Sequence, residues 1–157
     1  MLKKLGLFIV VCASLLLMTG CKSEKIKIEG TLEDLMAKLY ETIPEDERPM
    51  MLMNTEVTEE NVEYFLGSTD VEYEEALASE PGISSIAHSV VLLRAKENAD
   101  IEKIKTTIKE NINPRKWLCV GVEEKDIIVD NKGDLIVLIL IEDSAARETI
   151  KESFDNL

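Results

Sequence analysis

The sequence predicts an α+β domain with an antiparallel sheet of four to five strands and helices mainly on one face. The order strand, strand, helix occurs twice, over residues 71–113 and 123–157, and hairpin connections favour antiparallel pairing. Each long helix carries one apolar stripe, so we expect these two helices to cover one sheet face. Two N-terminal helices precede the repeats and are expected to cover an edge or part of the second face, because residues 135–141 are apolar on both sides.

The first predicted helix has a capping-box-like start at Thr31 and apolar residues at helical spacing until Pro44. A second, short helix begins with a cap at Thr58 and ends at Gly67. Residues 45–54 connect the two helices, and we predict a loop there.

The first strand pair and its helix occupy the middle of the chain. Residues 71–77 are typical of a half-buried strand, and a turn follows at residues 81–82. Residues 86–95 are apolar on both faces, which predicts a strand in the middle of the sheet. Asp100 begins a helix with isoleucines along one side, and Pro114 ends it.

The second strand pair is predicted at residues 126–130 and 134–142, joined by a short loop that contains a glycine. Residues 117–122 form either a strand or a further turn. The C-terminal helix is capped by Ser144 or Asp143.

The N-terminus has the features of a secretory signal peptide over residues 1–20. Two lysines precede an uncharged run of 14 residues, 5–18, which is shorter than the roughly 20 residues of a membrane-spanning helix. Met18, Thr19, Gly20 and Cys21 resemble the lipobox of bacterial lipoproteins, with Met18 in the place of the usual leucine. In such a motif small residues fit the peptidase cleft, and the thiol of Cys21 receives a diacylglyceryl group.

The chain is therefore predicted to be anchored to the cell membrane by lipid on Cys21, facing the extracytoplasmic side. Residues 21–30 form a short polar tether, and residues 31–157 form one domain. The formal net charge is −13, which excludes a basic nucleic-acid binder. Removal of residues 1–20 takes two lysines with it and leaves 16 basic and 31 acidic residues, a net charge of 16 − 31 = −15.

Few residues have catalytic potential. His88 is the single histidine, on a predicted strand, and Cys119 is the one cysteine left after cleavage and lipidation. We interpret His88 as structural and Cys119 as a small buried apolar residue. An envelope enzyme or ligand-binding protein with its site around His88 or Cys119 is the alternative.

The sequence favours no metal site and no cofactor. A methionine cluster supplies thioethers of the kind that Cu(I) prefers, but it has no histidine or cysteine partner. The acidic runs lack a complete EF-hand loop. The cluster is better explained as an apolar plug or a protein-binding surface, and we predict a partner surface formed by Met50, Met51, Met53, Asn54 and Trp117.

Three segments are similar to a family of small Gram-positive-type lipoproteins whose C-terminal region is a domain of unknown function. They are residues 76–97, 113–123 (NPRKWLCVGVE) and 130–140 (DNKGDLIVLIL). The resemblance covers residues 31–157 and implies a location at the cell envelope, with an association with polysaccharide modification and no catalytic residue. We therefore expect a non-enzymatic binding or accessory domain. A solute-binding lipoprotein is disfavoured, because 137 residues are too few for two large lobes.

Overall fold

The computed structural model describes residues 26–157, and these form four α-helices and five β-strands. In chain order the elements are α1 (Leu32–Glu41), β1 (Leu52–Glu56), α2 (Val62–Leu66), β2 (Tyr73–Pro81), β3 (His88–Ala95), α3 (Ile101–Asn111), β4 (Ile128–Lys132), β5 (Leu135–Ile141) and α4 (Ser144–Asp155). Single turns of 3-10 helix occupy Glu45–Glu47 and Glu124–Asp126. The predicted α+β class is confirmed.

All five strands form one antiparallel sheet in the order β1-β2-β3-β5-β4. Every residue of β3 and β5 is buried. Val91 lies opposite Leu138, and Leu92 lies opposite Val137, so aliphatic pairs fill both faces of this central pair. The prediction that residues 86–95 form a strand in the middle of the sheet is confirmed.

Helices cover both faces of this sheet. α1 and α4 share a core with Val137 and Ile139, whereas α2 and α3 pack with Ile136 and Leu138 on the opposite face. The expectation that helices lie mainly on one face is corrected accordingly. The reason is that β5 is aliphatic on both sides, and each large aliphatic side chain left in water forfeits about 2 kcal/mol of burial.

Side-chain caps begin three of the helices. Thr31, Asp100 and Asp143 each accept a hydrogen bond from the backbone N–H three residues along the chain, at 3.1, 3.1 and 2.8 Å. Of the two candidates for α4, Asp143 and not Ser144 is the cap. Gly67 ends α2 with a φ of 80°, as predicted.

Other boundaries differ from those predicted. The predicted loop over residues 45–54 ends in strand β1, which pairs with β2. The helix α2 starts at Val62 and not next to Thr58. Residues 117–122, left open between strand and turn, contain no strand.

Residues 26–30, which the sequence assigns to the tether, are bound to one end of the sheet. The guanidinium of Arg94 donates hydrogen bonds to the carbonyls of Ile28 and Gly30, at 2.8 and 3.0 Å. Asp134 accepts from the N–H of Ile28 at 3.0 Å and pairs with Arg94 at 3.2 Å. A buried cation therefore fixes this segment to β3 and to the start of β5.

Gly133 allows the same segment to lie close to the β4–β5 hairpin. A Cβ at this position would lie 1.8 Å from the carbonyl oxygen of Ile26, so a side chain is sterically excluded. The N–H of Asp134 donates to that carbonyl at 3.0 Å. The chain is thus held against the domain from Ile26 onward. The predicted signal peptide and Cys21 lie outside the described residues.

Candidate interaction surface and the cavity beside His88

Exposed apolar side chains gather at the β1 side of the sheet. Among residues 26–157, six large apolar side chains are exposed. Five of them are Met50 (68%), Met51 (65%), Met53 (54%), Tyr64 (44%) and Leu118 (68%), and we call these five residues the methionine edge. The three methionines belong to the predicted surface, whereas Tyr64 and Leu118 do not.

Met51 and Met53 lie against the turn that follows β2. The N–H of Gly82 donates to the carbonyl of Met51 at 2.9 Å. The Cε methyl groups of Met51 and Met53 lie 3.5 and 3.4 Å from the point that a Cβ on Gly82 would occupy. Because Gly82 has no side chain, the side chains of Met51 and Met53 both pack close to the backbone of the turn.

Tyr64 and Leu118 are held at the same place by hydrogen bonds. The hydroxyl of Tyr64 donates to Oε2 of Glu80 at 3.1 Å, and Glu80 lies opposite Met53 in the sheet. The N–H of Leu118 donates to the carbonyl of Ser84 at 2.8 Å. Residues from β1, α2 and the loop after α3 therefore converge on residues 80–84.

The other two predicted surface residues differ in exposure. Asn54 is exposed on β1, opposite Ser79. Trp117 is 8% exposed and belongs to the core beneath α2 and α3, so it does not form part of the surface. Its neighbour Leu118 is exposed in its place.

Lys116 is a buried cation in the loop after α3, next to Trp117 and Leu118. Its Nζ lies 4.3 Å from the ring centroid of Tyr64 and 5.3 Å from that of Trp117, and it forms an ion pair with Glu80. Burial lowers the pKa of Lys116, and the carboxylate of Glu80 opposes that shift. Burial, with a smaller contribution from Glu80, raises the pKa of Tyr64 to about 12. The ion pair therefore links the loop that carries Leu118 to β2, beside the ring of Tyr64.

Cys119 is exposed, and the interpretation of this residue as a buried apolar side chain is wrong. Its φ is 64°, in the left-handed region. A non-glycine residue in that region costs about 1 kcal/mol in backbone strain. At this turn the side chain of Trp117 is buried, whereas that of Cys119 is exposed. An apolar run in an irregular loop does not reveal this turn.

His88 is buried at the start of β3. Its Nε2 lies 2.8 Å from the hydroxyl oxygen of Tyr40. Burial lowers the pKa of His88 to about 4, so the imidazole is neutral at pH 7. No other hydrogen bond to the His88 side chain is present within the described residues.

An open cavity of about 710 Å³ adjoins His88 near the start of α4. Glu47, Glu142 and Asp143 line it, so its rim is acidic. Cys119 does not line it. Within the region that the structure describes, no three histidine, cysteine or carboxylate side chains are grouped to hold a metal ion. The cavity therefore presents a neutral imidazole, acidic groups and the hydroxyl groups of Ser85 and Ser144.

No helix in residues 26–157 has both the length and the apolar character needed to cross a membrane. Comparison with protein-family models, with curated proteins and with solved structures finds no match to this chain.

Proposed function

We propose that this chain is a lipid-anchored protein of the extracytoplasmic side of the cell membrane, whose domain binds another envelope protein without catalysing a reaction. The methionine edge is the proposed contact surface. The signal-peptide-like N-terminus and Cys21 support the anchor. Two acyl chains hold a protein at a membrane durably, whereas one chain binds reversibly.

One observation carries the binding proposal. Of the six exposed large apolar side chains of residues 26–157, four belong to residues that contact positions 80–84, and Met50 precedes one of them in the chain. Scattered exposed apolar residues need no explanation, but a concentrated patch is typical of a protein-binding site. Methionine suits such a site because its flexible, polarizable side chain adapts to different partners.

Photo-crosslinking in intact cells tests this proposal. A photoreactive residue at position 53 should trap a discrete partner, whereas the same residue at the exposed position Glu148 on α4 serves as the matched control. The side chains of Met51 and Leu118 are more than half exposed, so a partner bound at the methionine edge would bury them. Replacing both residues by Ser should therefore lower the crosslinking yield at least fivefold. Absence of any product specific to position 53 at native abundance would count against the proposal.

The anchor is tested separately by Cys21→Ala, which removes the thiol that would carry lipid. The variant should appear in the medium, and Cys119→Ser, which also removes a thiol, should stay with the membrane. Membrane retention of Cys21→Ala would contradict the lipid anchor.

The alternative function is a site at the cavity beside His88. Its support is the volume of about 710 Å³ next to an imidazole. Replacing His88 and Cys119 together by Ala discriminates between the two proposals. If the double variant complements a deletion phenotype as well as the unaltered protein does, an enzyme that uses either side chain is excluded.

A further inference from the structure

The outer side of β1 is an open sheet edge. β1 pairs with β2 on one side, where Val57 donates to the carbonyl of Ala76 and Gly82 donates to that of Met51, both at 2.9 Å. In an antiparallel ladder the bonded residues alternate. The backbone groups of Leu52, Asn54 and Glu56 therefore point away from the sheet.

One of these outward groups is occupied and the others are open within the described residues. The side chain of Asn61 donates to the carbonyl of Glu56 at 3.0 Å. Leu52 and Asn54 are left with both their N–H and C=O groups directed outward. Alternate residues of an added strand are the natural partners of such groups.

The opposite edge of the sheet, β4, is protected. Lys105 of α3 bonds to Asn131 at 3.0 Å, and Lys151 of α4 pairs with Asp130 at 3.0 Å. Every residue of β4 is partly buried. Lysines and flanking helices are common devices for blocking an edge. β1, with the sequence LMNTE, contains no lysine or proline, and its last four residues are exposed.

Apolar side chains lie beside the open edge. Met53 is on the same sheet face as α2, because its partner Glu80 alternates with the core residues Ala76 and Ala78. Tyr64 of α2 bonds to that same Glu80. An added strand would therefore meet an apolar surface with every second side chain.

The charge around the edge favours a basic occupant. Glu56 is exposed at the end of β1, Glu59 and Glu60 in the turn that follows it, and Glu63 in α2. The nearby cation Lys116 is paired with Glu80. With a net charge of −13 on each chain, a second copy would be repelled.

We propose that β1 accepts an extended partner segment, in which basic residues alternate with apolar ones, as a sixth strand of the sheet. This inference rests on the proposed function and specifies the form of the partner. The apolar side chains would contact the methionine edge on the α2 face. The basic ones would lie on the opposite face, beside Glu56, whose partner Leu77 belongs to the core under α1.

Hydrogen exchange with a defined probe tests the strand geometry. The probe is an eight-residue peptide of alternating lysine and valine, compared with the same peptide N-methylated at alternate residues. Bound peptide should slow amide exchange at Leu52, Asn54 and Glu56 at least tenfold. Amides that already face β2, such as Met53 and Thr55, should change little. The N-methylated peptide should produce no protection.

A pair of variants at position 54 isolates the backbone. Asn54→Pro removes an outward N–H without breaking the β1–β2 ladder, and edge strands tolerate such a proline. Asn54→Ala retains the N–H. Peptide affinity should fall at least tenfold in Asn54→Pro and stay within twofold in Asn54→Ala.

The outcomes distinguish this inference from the proposed function. Equal peptide affinity in both variants, or no peptide binding at all, would overturn strand addition, while partner capture at position 53 would leave the proposed function standing. Protection of the same amides that depends on protein concentration, without peptide, would identify a second copy as the occupant and overturn the basic partner.

Discussion

At the scale of single residues, His88 gives the clearest dependence on pH. Its pKa falls from 6.5 to about 4 on folding because of burial. The unfolded chain therefore binds more protons between pH 4 and 6.5, so stability rises with pH across that window and is lost as pH falls through it. We expect about 2 kcal/mol of loss in the free energy of unfolding between pH 7 and pH 5 from this residue.

Urea unfolding at the two pH values measures this loss, with His88→Gln as the control. Carboxylates titrate alike in both proteins, so the difference in pH dependence isolates the histidine. Because the chain has one histidine, its NMR titration is also unambiguous, with an expected midpoint near 4. Identical pH dependence in the variant, or a midpoint near 6.5, would refute this account.

The composition of the candidate surface was only partly predictable at this scale. Adjacent methionines in a polar stretch already indicate an exposed apolar patch, and Met50, Met51 and Met53 are exposed. Trp117 is predicted at the surface but is buried, and its neighbour Leu118 is exposed, because a loop without regular period gives no rule for which side chain points inward. Lys116, buried against aromatic rings, and the positive φ of Cys119 settle the orientation.

At the scale of elements, the sequence predicts best the segments with a strong period or a cap. β3, β5 and α3 follow from continuous apolar runs or from isoleucines on one side of a helix. β1 does not, because its short sequence has no alternation and its strand geometry comes from pairing with β2. Apolar residues on both faces of β5 indicate that helices cover both faces of the sheet. This pattern does not predict which helix lies on which face.

The contact of α2 with α3 depends on a glycine. A Cβ on Gly67 would lie 2.4 Å from the backbone carbon of Asn111, and its φ of 80° is unfavourable for other residues. Gly67→Ala should therefore lower the free energy of unfolding by about 3 kcal/mol, from backbone strain and overpacking together. Urea unfolding of the two proteins measures it.

Gly82→Ala is the matched control for that measurement. Its added methyl group would make ordinary contacts of 3.4 Å or more, the nearest with flexible methionine side chains. We expect a change of less than about 1 kcal/mol. Equal losses in the two variants would show that close approach at Gly67 is not the cause.

At the scale of the whole molecule, residues 26–30 and the methionine edge lie at opposite ends of the sheet. Met53 pairs with Glu80, and the neighbouring Ser79 pairs with Val90, so the methionine edge lies at the His88 end of β3. Arg94, which binds Ile28 and Gly30, pairs with Leu135, whereas the other end of β3, His88, pairs with Ile141. Six residues of strand separate these ends by about 20 Å. The chain is fixed from Ile26 onward, and the five Cα–Cα steps from Cys21 to Ile26 reach at most about 18 Å.

A lipid on Cys21 would therefore hold the Arg94 end of the domain near the membrane and present the methionine edge outward. Reconstituted lipidated protein in vesicles with a quencher on the lipid headgroups measures this orientation. A fluorophore on the native thiol of Cys119, beside Leu118, should be quenched much less than one on Glu97→Cys in a Cys119→Ser background. Glu97 is exposed two residues after β3, at the Arg94 end.

A flexible insertion separates the effect of the short connection from that of the labels. Twelve glycine and serine residues between positions 25 and 26 add a root-mean-square reach of about 19 Å and leave the Arg94 contacts intact. The difference in quenching between the two labels should then shrink, because the domain can turn about its anchor. Equal quenching of both labels without the insertion would mean that the hydrogen bonds from Arg94 to Ile28 and Gly30 do not orient the domain. That result would not bear on the anchor itself, which Cys21→Ala tests separately.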